Sequence, residues 1–121
     1  MGTTNEFTLV ADADFSGKLG CAVVVKNKLV GKTPVGSIAG AGVAIDGIIT
    51  DITGPAKAGS PVAVGRVGDI VFARVGAGGI TVGDTLVVGT EGALIKAGEG
   101  VAVAKALATG AEGERIPVLI K

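Results

Sequence analysis

The sequence predicts an all-β fold, a small single-domain β-barrel or sandwich with short strands and Gly/Pro-rich turns. Three observations predict it. The hydrophobic residues suit pleated sheet, with 18 Val and 10 Ile against 7 Leu, because a branched Cβ is stiff and crowds a helical turn. Glycine, at 22 of 121 residues, supplies corners. Turn signals return about every 8–12 residues, the spacing of sandwiches and barrels. A chain of this length forms one domain, and its 48% hydrophobic content excludes global disorder.

In chain order, Met1 to Glu6 is small, polar and aperiodic and reads as a mobile arm. With Phe7 as its apolar anchor, the flexible arm spans residues 1–7 and the β domain 8–121. Phe7 to Val10 is the first strand candidate. Lys18 to Lys26 is the second, and its run Ala22-Val23-Val24-Val25 lacks alternation, which predicts a strand covered on both faces. Gly31 to Gly42, with Pro34 and several glycines, reads as a loop. Val43 to Asp46 and Ile48 to Thr53 read as strands flanking a turn or bulge at Gly47. Pro61 to Val64 follows the Gly59-Ser60 turn. Ile70 to Val75 alternates cleanly, with Ile70, Phe72 and Arg74 on one face; the expectation is that Ile70 and Phe72 fill the core. Thr85 to Val88 and Ala93 to Lys96 form a hairpin, and Val101 to Ala108 pairs with Arg115 to Ile120. Pro61 and Pro117 lack a ladder donor and are expected at strand starts, bulges or edges. A strand–turn–strand pattern recurs between Gly47–Val64 and Gly100–Val118.

The chemistry is equally bounded. Eleven basic residues balance eleven acidic ones, so no net field draws the chain to nucleic acid or an anionic membrane. Aromatics are too few to stack bases, and no apolar run approaches the roughly 18 residues of a membrane span. Met1 to Phe7 has no apolar core of a secretory signal. Histidine is absent, which removes the commonest general base and metal ligand and any Ser–His or Cys–His nucleophile. The single cysteine, Cys21, lies in a Val-rich strand and reads as a small buried hydrophobe. Gly31-Lys32-Thr33 imitates the end of a phosphate loop, but Lys26 stands where that motif needs glycine and Pro34 follows. Gly40-Ala41-Gly42 would need its third glycine at Ile45. Asp12/Asp14 and Asp46/Asp51 read as solvated loop carboxylates, not calcium ligands. No enzyme activity, metal or cofactor is expected.

Ile48 to Asp51 precedes Pro55-Ala56-Lys57-Ala58-Gly59, which introduces Val62 to Val64. Gly68 to Val75, Ile80-Thr81-Val82-Gly83-Asp84 and Thr90-Glu91-Gly92 follow. The chain closes on Val101 to Leu107 and Gly113 to Ile120. This succession resembles the tailed-phage capsid decoration, or cement, proteins; Lys105-Ala106-Leu107 and Pro117 depart from their pattern. The resemblance implies a homotrimer on the outer surface of a virion. There it would bind the major capsid protein and stabilise the lattice, with no nucleic-acid or membrane partner. An arm of this kind can add a strand to an exposed sheet edge, which makes Thr3, Thr4, Asn5, Glu6 and Phe7 the candidate capsid-contacting residues. Other readings stay open: a small β-barrel carrier with its lysine at Lys96, a hydrolase or carrier fragment whose site the sequence hides, or another non-catalytic bacterial β-structural protein.

Overall fold

Frequent glycine-rich turns keep the strands short, from three to nine residues. In the computed structural model, which describes residues 7–52, 57–98 and 100–121, the described strands form two compact sheets. The first holds β1 (Phe7–Ala11), β2 (Ala22–Val30), β3 (Thr33–Ile38), β4 (Gly47–Ile52) and β5 (Pro61–Gly65), closed as a barrel in the order β1-β3-β2-β4-β5. β1 runs parallel to β3 and antiparallel to β5, and that second pairing closes the ring. The second sheet holds β6 (Ile70–Arg74), β7 (Thr85–Val88), β8 (Leu94–Lys96), β9 (Ala104–Ala106) and β10 (Arg115–Ile120), in the order β6-β10-β9-β7-β8. A parallel bridge between Val75 and Leu94, with the Gly76 amide donating to the Leu94 carbonyl at 2.7 Å, ties its two edges together.

Two cores result. Leu9, Ala11, Phe15, Val23, Ile49, Val62 and Val64 fill the barrel. The larger core joins Ala22, Ala39 and Ile48 of the barrel to the inner face of the second sheet, including Val71, Leu86, Leu94 and Val118. Each fully buried Val, Leu or Ile contributes about 1.5–3 kcal/mol. Ile48 and Ile49, adjacent in sequence and both 0% exposed, point into different cores. A strand apolar on both faces thus finds both covers inside one chain, whereas Val24 is half-buried and Val25 reaches solvent.

Several expectations need correction. Thr33 to Ile38 is a strand, not part of a loop: Pro34 is tolerated because pairing with β1 begins only at Val35. Gly36 lies where a Cβ would meet Leu9 Cδ1 at 2.5 Å, so here glycine permits close packing and breaks nothing. Val43 to Asp46 is not a strand; Asp46 instead accepts the Val25 amide at 2.7 Å. Gly47 opens β4, and the irregularity lies between Ile49 and Asp51. Strand β9 covers only Ala104–Ala106 of the segment expected from Val101 to Ala108. Pro61 starts β5, as expected. Pro117 does not lie at an edge, because β10 runs between β6 and β9. Leu107 donates to the Pro117 carbonyl just past the end of β9, so the missing proline donor falls at the last rung of that ladder.

The recurring pattern has a local cause. Lys57–Ser60 and Ala111–Glu114 make the same turn, each closed by a 3.0 Å bond from its fourth amide to its first carbonyl. Gly59 and Gly113 hold φ of +89° and +88° at the third position. That conformation is the one a type II turn reserves for glycine, and each turn leads into an antiparallel strand, β5 or β10.

Candidate functional site

Two surfaces of the folded chain carry more than packing. One is a cleft of about 920 Å³ between the barrel and the second sheet, lined by Lys18, Cys21, Arg74, Glu91, Glu112 and glycine-rich turns. Lys18 Nζ meets Glu91 Oε2 at 3.2 Å, an exposed pair of the kind that contributes about 0–1 kcal/mol. Glu91 is, among the described residues, the one non-glycine at positive φ, +55°. Arg74 Nη2 donates to the Leu19 carbonyl at 3.4 Å, and its buried Nε has no partner. Burial pushes the Cys21 thiol above its ordinary value, with the Arg74 and Lys18 cations pulling it only partly back. A thiol nucleophile needs the opposite shift, so this geometry keeps Cys21 protonated at neutral pH.

The other surface is the outer face of the second sheet. Alternation along β6 sends Val71 and Ala73 inward and leaves Ile70 61% and Phe72 62% exposed. The expectation that Ile70 and Phe72 fill the core is therefore overturned. Alternation divides a strand into two faces without saying which is inside, and here the inner face lies against the barrel, where Val71 Cγ1 would stand 2.6 Å from a Cβ on Gly65. Such a gap accepts Val and Ala but not a phenyl ring. Register then assembles the outer face. Phe72 lies opposite Pro117 and Ile70 opposite Leu119, with Lys105 on the far side of Leu119. Leu107, whose amide donates to the Pro117 carbonyl, extends the Phe72 row. Beyond that row Arg74 lies opposite Arg115. The sequence held a partial signal: Arg74 shares the face of Ile70 and Phe72, and a charged residue favours the solvent side of a sheet, although here its guanidinium curls back to the Leu19 carbonyl.

Of the candidate contact residues, Thr3, Thr4, Asn5 and Glu6 lie outside the described residues. Phe7 opens β1 in register with Val64. Lys96 ends β8 and does not occupy a hairpin tip.

The sequence matches no family model and no curated protein. The structure is similar to the crystal structure of the head fiber gp8.5 N base in bacteriophage phi29, with a TM-score of 0.75 and 16% identity over 98% of this chain and 95% of that one. The two chains share a fold across nearly their whole lengths.

Proposed function

We propose that this chain is a non-catalytic structural protein of a tailed-phage head. It binds the outside of the shell as a homotrimer and stabilises the lattice of major-capsid subunits. The observation that carries this reading is the likeness over nearly the full chain to a phage head-fiber base. The absence of histidine and the raised Cys21 thiol accord with a protein that binds without reacting. Leu29 and Val30, both largely exposed near the β2–β3 turn, supply apolar surface for self-association, and closed rotational symmetry is the usual outcome for identical chains. Thr3 to Phe7 add a backbone able to pair with a sheet edge on the shell, and three arms on one trimer raise the effective concentration of each.

Light scattering tests the assembly, with an expected mass three times the 11.7 kDa of the chain; a monomer at micromolar concentration overturns the trimer. Heads prepared without the protein test the role. Added protein is expected to bind them and raise their resistance to heating, and a failure to bind overturns the head reading. Deleting residues 2–6 is expected to weaken binding while leaving the trimer intact.

A further inference from the structure

We infer that the outer face of the second sheet docks a protein partner whose contact patch presents an aliphatic or aromatic side chain flanked by carboxylates. The inference rests on the head reading above and names the face by which the chain meets the shell. Two independent features point the same way. Ile70 and Phe72 are large, neighbouring and mostly exposed, and with Leu119, Pro117 and Leu107 they make a continuous apolar surface across three strands. Such surfaces mark interfaces in folded proteins. At one end of this surface stands the exposed Arg115; Arg74 is opposite it in register, but its guanidinium turns away to the Leu19 carbonyl.

Three carboxylates near these strands cap their own turns, and Glu91 and Glu112 line the cleft on the Arg74 side. Glu114 Oε1 accepts the Ala111 amide, Asp69 Oδ2 the Arg66 amide and Asp84 Oδ2 the Thr81 amide. The ion pairs Lys18–Glu91 and Lys26–Asp12 involve neither Arg115 nor Lys105. Lys105 adds a further cation beside Leu119. The free protein therefore holds an unsheltered ring beside the exposed cations Arg115 and Lys105. One kind of partner relieves both: an apolar contact that dehydrates Phe72, and a carboxylate that takes Arg115 in the bidentate geometry guanidinium favours. A second copy offering this same face would set Arg115 and Lys105 against their own kind.

The test uses purified heads lacking the protein, full-length wild type, and the surface variants Phe72→Ser and Arg115→Glu. Both variants are expected to bind the heads at least about tenfold more weakly, the scale of a hot-spot loss, with the mass in solution unchanged. Arg115 is exposed, so the melting temperature of Arg115→Glu is expected to stay close to that of wild type. Wild-type binding should weaken with added NaCl, and that of Arg115→Glu should respond less. If wild type binds and both variants bind within about twofold of it, the face is not the docking surface and the head reading survives. If wild type itself fails to bind, the head reading falls and carries this inference with it. A reduced mass for Phe72→Ser would assign the face to a second copy. Binding of wild type but not Phe72→Ser to phosphatidylglycerol vesicles would assign it to lipid. Either result overturns the proposal.

Discussion

A Cβ at Gly47 would run into the Val64 side chain and come within 2.5 Å of the Gly65 carbonyl, because β4 enters the barrel here against β5. Gly47→Ala restricts the unfolded chain, a gain of about 0.4–1 kcal/mol, but overpacking a tight core costs about 1–3 kcal/mol, so the clash outweighs the gain. Urea denaturation is expected to show a net loss; a more stable variant would mean that β5 can yield. Phe72 illustrates the opposite case. An exposed ring predicts that Phe72→Ala changes stability by no more than about 0.5 kcal/mol, against about 3–5 kcal/mol for a buried one. The Cys21 thiol, pushed up by burial, binds its proton more tightly in the folded chain than in the unfolded one. Its contribution is complete below the unfolded thiol's value, about 8.5, and is lost as pH rises from there through the higher folded value. Denaturation across that alkaline window is expected to show stability falling more steeply for wild type than for Cys21→Ala. Parallel slopes would mean that the thiol titrates alike in both states.

At the scale of the element, one turn is used again and again. Arg66-Val67-Gly68-Asp69 and Thr81-Val82-Gly83-Asp84 each close with a 3.0 Å backbone bond and carry glycine at φ +94° and +90°. In each the aspartate accepts the first residue's amide at 2.9 Å. The two differ in burial: Asp69 is buried and Asp84 only half so. A hydrogen bond to a charged group contributes about 1.5–3 kcal/mol, and the protected one contributes more. Asp69→Ala is therefore expected to lower stability by an amount in that range and Asp84→Ala by less, measured by chemical denaturation; equal losses would mean that burial does not separate them. These turns were legible in the sequence because glycine and aspartate act on their immediate neighbours. Hairpin β7–β8 and the core of β10 were legible for the same reason, their partners being near in sequence. What stayed hidden depends on distant contacts. Thr33 to Ile38 looks like a loop until β1, more than twenty residues earlier, supplies its second partner. The outward turn of Phe72 is fixed by a barrel strand against the other face of β6; alternation within β6 cannot reveal it, and Arg74 on the Phe72 face was the one hint within the strand.

Across the whole molecule the two sheets are interlocked more than they are adjacent. Ala22, Ala39 and Ile48 leave the barrel to enter the core of the second sheet. The Arg74 amide donates to the Gly20 carbonyl at 2.8 Å, and the Val101 amide to the Gly42 carbonyl at 2.9 Å. Gly100 lies against Gly42 so closely that a Cβ on it would stand 2.6 Å from the Gly42 Cα. Unfolding either sheet alone would bare the shared core of the other, and the expected result is one cooperative transition, as in most single domains of this size. The chain has no Trp, so a single Trp reports cleanly on the sheet that carries it. Leu29→Trp on the barrel and Phe72→Trp on the second sheet both sit at exposed positions. Their urea midpoints are expected to coincide once each variant's own stability change is subtracted. Gly100→Val, which sets a branched side chain against Gly42 from a φ of +111°, is expected to loosen the joint. If the two midpoints separate in the otherwise wild-type chain, the sheets fold as independent units. If they separate only in the Gly100→Val background, the glycine contact is what couples them.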